Sequence, residues 1–210
     1  MLAALNASFM SLPKHFGVTM RNFQKIAEGL QVRPLLNALY RKADLWKADD
    51  FLRKFPQGPF GETDTIYLRF QDQVNVDTEE ELELYKQNKL AGHDLHECPW
   101  RAEADALPEA RQHIMSLMSA LGATRLGRCM INRIKPGGRI FPHADSKWHA
   151  EYWDRYHLVL QSGPGNTFRC ADEQVWMREG EIWWFQNALE HEVINNSDND
   201  RIHLIMDLRF

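Results

Sequence analysis

The sequence predicts an α+β, mainly β domain in which helices come first and a sandwich or barrel of short strands follows. Three observations carry this. Before Gly122, apolar residues recur at helical spacing with charges between them. After Gly122 the chain breaks into about eight short apolar or alternating runs separated by Gly, Pro, Asn and Asp. The last of these runs alternates so regularly that its two faces can be told apart.

At 210 residues the chain reads as one domain, 1–210, with a mainly helical part over 1–122 and a β core over 123–210. Within 20–55, Ile26, Leu30, Leu35, Leu36, Leu39, Leu45, Trp46, Phe51 and Leu52 follow helical spacing, and Pro34 opens a new helix. PQGPFGETD, 56–64, reads as a loop, and TIYLRF, 65–70, as the one strand of this part. The acidic stretch 72–98 reads as a solvated surface insertion. Pro108 then opens an amphipathic helix over 108–121, with Ile114, Leu117, Met118 and Leu121 on its apolar side and Gly122 as its stop. The strands are expected at 127–134, 138–142, 155–161, 166–170, 173–177, 181–186, 190–195 and 201–209, with the helices packed on one sheet.

Composition narrows the function classes. With 44% hydrophobic and 26% charged residues, the chain is an ordinary globular sequence. A net charge of −4, with basic residues scattered, gives no reason to expect a nucleic-acid partner. No run approaches the ~18 apolar residues of a membrane span. The first residues lack a basic n-region and read as a helix or loose arm rather than a signal peptide. Cys98, Cys129 and Cys170 are odd in number and form no CxxC, which points to a reducing cytoplasm. Nothing in the sequence sets an oligomeric state.

In 201–209, Ile202, Leu204, Met206 and Leu208 form one face; Arg201, His203, Ile205, Asp207 and Arg209 form the other. In 155–161, Tyr156, Leu158 and Leu160 oppose Arg155, His157, Val159 and Gln161. Two strands thus present an Arg-x-His pair on their polar face. That face is either solvated or the interior of a barrel lined by a polar site. The interior explains both strands at once.

His143-Ala144-Asp145 places an imidazole and a carboxylate on one side of an extended chain, and His191 on a separate strand is the candidate third ligand. Two His and one carboxylate leave three positions of an octahedral metal open, the ligand set of non-haem Fe(II) oxygenases. A rival pattern, His149-Ala150-Glu151, lies in a polar loop and ranks lower. Such an oxygenase needs an electron source. If that source is 2-oxoglutarate, its far carboxylate needs a buried cation, and arginine has the matching fork. Arg201, ten residues after His191 across a turn, returns beside the metal, with His203 on the same face. Apart from the metal site no catalytic side chain stands out. Trp100, Trp148 and Trp153 are candidate pocket walls, and one of Trp183 and Trp184 is expected in the core.

Over roughly 124–209 the sequence resembles the aspartyl/asparaginyl β-hydroxylase family of Fe(II)/2-oxoglutarate oxygenases. The resemblance rests on Pro136-Gly137 seven residues before His143, on Pro142-His143, Arg155-Tyr156-His157 and His191-Glu192-Val193, and on the position of Arg201. Cys98-Pro99-Trp100 and the helix 108–121 look like the lead-in of bacterial and phage members. The resemblance implies a double-stranded β-helix, jelly-roll or cupin-like. It implies His143 and His191 as iron ligands and Arg201 as the partner of the 2-oxoglutarate 5-carboxylate. It further implies that Arg155 and His157 help hold the cosubstrate, and that Asn132 stands where the animal enzyme has a cosubstrate-contacting serine. The animal enzyme has glycine where Asp145 stands, so this chain carries the fuller triad. The expected activity is hydroxylation, with O2, of an amino-acid-like substrate: a free amino acid, another small molecule or a peptide side chain. A cupin-like metalloenzyme without 2-oxoglutarate, or an inactive barrel used as a binding module, would use the same fold.

Overall fold

The computed structural model describes residues 20–47 and 58–210. The N-terminal arm, Phe51, Leu52 and the first two residues of the 56–64 loop lie outside them. The strands are β1 (Phe23–Ala27), β2 (Thr63–Arg69), β3 (Arg125–Ile134), β4 (Arg139–His143) and β5 (Asp154–Gln161). They continue with β6 (Asn166–Cys170), β7 (Glu173–Val175), β8 (Ile182–Phe185), β9 (His191–Asn195) and β10 (Arg201–Arg209). The helices are α1 (Arg33–Arg41), α2 (Glu79–Lys86), α3 (Ala102–Ala106), α4 (Pro108–Leu121) and α5 (Lys147–Tyr152), with a 3-10 turn at Ala43–Lys47.

The strands form a six-stranded sheet, β1-β8-β5-β10-β3-β2, and a four-stranded sheet, β4-β9-β6-β7, antiparallel throughout. From β3 to β10 the chain passes back and forth between the two sheets, which makes the core a double-stranded β-helix. All eight strands expected after Gly122 are present. Their alternation is local information, set by which residues face inward.

One expectation needs correction. Phe23–Ala27, inside the stretch read as helical, is a strand, so the first part supplies two strands rather than one. It pairs with β8, with Phe23 opposite Phe185 and Ala27 opposite Ile182. Ile26 and Leu30 do sit at helical spacing, but an open strand edge outweighs so weak a local preference. Elsewhere the helical reading holds: α1 starts on Arg33, has Pro34 in its first turn and buries Leu35, Leu36 and Leu39. α4 has the expected limits, with Gly122 in the left-handed region at φ 70°.

The large sheet has two different faces. Its outer face, with Leu158, Leu160, Ile202, Leu204, Met206 and Leu208, packs on α1 and α4 in one apolar cluster. Its inner face meets the small sheet over Phe23, Ile134, Ile140, Val159, Phe168, Phe185 and Val193. The two half-buried tryptophans of β8 divide the same way: Trp184 packs on the outer cluster and Trp183 on the inner one. In the acidic insertion, α2 buries none of its residues and opens with a capping box between Thr78 and Glu81. The end of the insertion does pack, burying Leu95, His96 and Cys98.

Candidate metal centre

His143 ends β4 and pairs directly opposite His191 at the start of β9. Their ring centroids are 4.3 Å apart. Asp145 follows in the connection to α5, its amide donating to the carbonyl of Asn187 at 3.2 Å. The three side chains each offer one ligand atom, and these atoms lie within 4.8 Å of one another.

The protein fixes which atoms face the centre. His143 Nδ1 donates to the carbonyl of Phe141 at 2.8 Å, and His191 Nδ1 to that of Leu189 at 2.8 Å. Both rings are thereby set with Nε2 free for a metal. Burial, and for His191 the neighbouring His143, favours the neutral imidazole; His191 is pushed down to about 4. Asp145 Oδ2 accepts from Arg155 at 2.7 Å and from Asn187 Nδ2 at 3.0 Å. Burial alone would raise its pKa, but Arg155, His191 and Asn187 hold it below the ordinary carboxylate range. Two neutral imidazoles and an ionised carboxylate suit a divalent iron.

Arg155 is held from behind as well. Its Nε and Nη2 reach Asp207 at 2.8 and 3.2 Å. His149 Nε2 lies 3.0 Å from Asp207 and 2.8 Å from Arg155 Nη2. Burial works against the Arg155 charge, yet Asp145 and Asp207 more than offset it and raise its pKa. The rival pattern His149-Ala150-Glu151 therefore does not assemble, since His149 turns to Asp207 and Glu151 pairs with Lys147 at 3.7 Å.

Further along the inner face, Arg201 is 2% exposed. Among the described residues it has no carboxylate partner. Its contacts are His203 Nδ1, 3.1 Å from Nη2, and the Phe168 ring at 5.7 Å. Desolvation alone draws its pKa down to about 9. His157 Nδ1 lies 3.2 Å from the same His203 nitrogen. If His203 Nδ1 accepts from both, His203 Nε2 carries a proton and His157 Nε2 a lone pair. Burial and Arg201 keep both rings neutral, well below their ordinary pKa. Asn132 donates to Thr65 Oγ1 at 3.2 Å. Asn132 Oδ1, His157 Nε2 and His203 Nε2 are all buried without a hydrogen-bond partner. A buried cation lacking an anion, with a free donor at His203 Nε2 beside it, is the environment a carboxylate would complete, whereas Asn132 Oδ1 and His157 Nε2 are acceptors that only a donor would satisfy.

The sequence-derived candidates thus fall into two groups in the space between the sheets: His143, Asp145, His191 and Arg155 at the candidate metal end, and Arg201, His203, His157 and Asn132 at the cationic end. Sequence reasoning missed His149, Asn187 and the anchoring part of Asp207. Only Asp207 carried a signal, since it shares strand parity with Arg201 and His203. Of the candidate walls, Trp153 is buried and the Trp100 ring is clasped by Arg69 and Arg111, 4.8 and 4.4 Å from it. Trp148, 39% exposed, has its ring 5.5 Å from that of His149.

Fold and site together define a double-stranded β-helix with a His-x-Asp/His group that could hold a metal. The pattern that defines the aspartyl/asparaginyl beta-hydroxylase family matches residues 68–209, and the chain belongs to that family. L-proline cis-4-hydroxylase of Rhizobium meliloti strain 1021 is 34% identical over 77 residues, covering 37% of this chain and 28% of that protein. The aligned stretch is little more than a quarter of that relative's length. Among solved structures, the viral collagen prolyl hydroxylase of Paramecium Bursaria Chlorella virus-1, in its 2OG complex, has a TM-score of 0.52. It is 11% identical and covers 90% of this chain and 96% of that chain, a likeness of fold. A 2OG-Fe(II) oxygenase family protein from Burkholderia pseudomallei has a TM-score of 0.42 at 15% identity, over 70% of this chain and 66% of that one. Among the described residues, no helix is long and apolar enough to cross a membrane.

Proposed function

We propose that this chain is an Fe(II)- and 2-oxoglutarate-dependent dioxygenase that hydroxylates an amino-acid-like substrate. The observation that carries this reading is Arg201: a buried guanidinium with no acidic partner among the described residues, facing His191 across the space between the sheets, with the Phe168 ring 5.7 Å from Arg201 and 6.1 Å from the His191 ring. A cupin-like metalloenzyme without 2-oxoglutarate would use the triad but leave Arg201 without an anion. Family membership and the proline hydroxylase relative support the reaction class.

When bound, iron and 2-oxoglutarate supply the oxidising power for C–H hydroxylation, consuming O2 and releasing succinate and carbon dioxide. The residues of this chain position and shield them. His143 and His191 present Nε2, their rings fixed by the Phe141 and Leu189 carbonyls. Asp145 adds a negative charge, and Arg155 and Asn187 keep its carboxylate from rotating. Arg201 would take the 5-carboxylate, with His203 Nε2 as a second donor. His157 and Asn132 line the path between the two ends. The relay from Asp145 through Arg155 to Asp207 supports a supporting rather than cosubstrate-binding role for Arg155. The substrate is a small molecule or peptide, with no nucleic acid or membrane partner. Buried, unpaired Cys98, Cys129 and Cys170 support a reducing, cytoplasmic location.

The test is anaerobic addition of Fe(II) and 2-oxoglutarate. The wild type should develop the visible charge-transfer band of the chelate, and Arg201→Ala should need at least tenfold more 2-oxoglutarate to reach it. No band in the wild type, or an undiminished one in the variant, sinks the reading.

A further inference from the structure

Arg128 is the inward-facing cation that neither end of the site uses. On β3, Cys129 and Ile131 join the outer apolar cluster, while Met130 and Asn132 face inward, opposite Ile205 and His203. Arg128 has the inward parity and lies at the triad end of the strand. It forms no ion pair with any described residue. Asp207 and Asp145 act on its charge, but Arg155 already occupies both carboxylates. Its guanidinium donates to Gln71 Oε1 through Nε at 3.1 Å and through Nη2. The Phe70 ring lies 5.0 Å from it and the Trp148 ring 5.7 Å. Trp148 stands three residues after Asp145, so the same aromatic wall borders the ligand loop and Arg128.

Arg128 also lines an open pocket of about 420 Å³, with Phe70, Gln71, Asp72, Val74 and Tyr85 among its walls. That volume is on the scale of a small-molecule site rather than a macromolecular groove. The walls come from the start of the acidic insertion and from α2. Gln71 takes two of the five guanidinium donors, and the rings limit its swing, which leaves a fixed fork for one more acceptor. Asp72, also on the rim, is paired with Arg101 at 2.8 Å. The unpaired charge facing this space is therefore Arg128, whose fork suits the carboxylate of a small ligand.

We propose that this pocket receives the substrate to be hydroxylated, and that Arg128 binds the carboxylate of a free amino acid there. The inference rests on the Fe(II)/2-oxoglutarate reading above and adds the substrate's chemistry to it. The acidic insertion, on this view, is the wall of the substrate chamber as well as a solvated surface.

The test uses the anaerobic protein loaded with Fe(II) and 2-oxoglutarate, titrated with the L-amino acids and their carboxamides. Entry of a substrate beside the metal perturbs the chelate band. At least one free amino acid should perturb it, and its carboxamide should not at the same concentration. Arg128→Gln should weaken that amino acid's half-saturation roughly tenfold to a hundredfold, the cost of a lost charge-assisted pair. The same variant should shift the 2-oxoglutarate dissociation constant less than about threefold, because Arg201 carries that site. Arg128→Lys, which keeps the charge and loses the fork, should fall between and serves if the glutamine variant fails to fold. The proposal is overturned if no free amino acid perturbs the band, if amide and acid act alike, or if only aspartyl peptides respond. It is equally overturned if Arg128→Gln binds the amino acid normally or loses the chelate band while folded. A wild type that shows no band before any amino acid is added fails the underlying reading, and this inference with it.

Discussion

Asp145, the carboxylate of the candidate triad, is held in place by a chain of buried charges. Arg155 grips its Oδ2 at 2.7 Å, and Asp207, 0% exposed, grips Arg155. Removing Asp145 itself, as Asp145→Ala, should weaken iron binding about tenfold to a hundredfold or more and abolish turnover; iron titration measures the first and succinate release the second. Removing Asp207 strands Arg155. Asp207→Ala should cost about 3–5 kcal/mol, the usual penalty for breaking a buried pair, read from urea unfolding. The pH dependence follows from the same burial. His157 and His203 are neutral in the fold, their pKa values depressed well below the ordinary value of 6.5. The unfolded chain takes up their protons as pH falls below about 6.5 and the folded chain does not, so stability declines from there downward. Asp207, whose pKa is depressed by Arg155 and His149, adds a second loss. Its contribution is complete above its unfolded pKa near 4 and disappears as pH falls toward its lower folded value. Urea midpoints of the metal-free protein between pH 7.5 and 5 should therefore fall steadily; a flat profile contradicts the neutral buried histidines.

Among the elements, β10 does two jobs because a strand has two faces. Leu204, Met206 and Leu208 pack toward α4, while Arg201, His203 and Asp207 face the other sheet. Moving its register by one residue would exchange the two sets, so the packing of α4 also fixes the site. Leu117, buried in α4 against this face, should cost about 2–5 kcal/mol as Leu117→Ala. The turn between β5 and β6 depends on Gly165, at φ 100°, where an added Cβ would lie 2.6 Å from the Asn196 carbonyl oxygen. Gly165→Ala should destabilise by at least about 1–3 kcal/mol, since both the backbone conformation and the contact exclude a side chain. Thermal or urea unfolding of both variants checks these values.

For the whole molecule, the proposed site would couple the stability of the fold to its ligands. Iron would join β4, β9 and the loop that carries Asp145 through the candidate triad, and 2-oxoglutarate would neutralise Arg201, a charge otherwise buried alone. At a hundredfold excess over the dissociation constant, each independent ligand adds about 2.7 kcal/mol. For a chain of this size that corresponds to a rise in melting temperature of roughly 5–10 °C. Thermal unfolding under nitrogen, with and without Fe(II) and 2-oxoglutarate, should show the rise, and a chelator should reverse it. The sequence by itself determined the eight strands of the β core and the limits of α4, and it nominated His143, Asp145, His191 and Arg201 by residue type and spacing. Alternation, capping and turn chemistry are local, so they can be read without the fold. The tertiary structure alone decided that Phe23–Ala27 is a strand, because its ladder partner β8 lies far along the chain. It also decided that Arg155 serves Asp145 and Asp207, that His149 turns away from Glu151, and that Arg128 faces an open pocket walled by the acidic insertion. Each of these depends on which distant charge or edge lies opposite, and no short stretch of sequence contains that information. The candidate triad could be named from the chain, whereas the charges that hold it come together only once the sheets have closed.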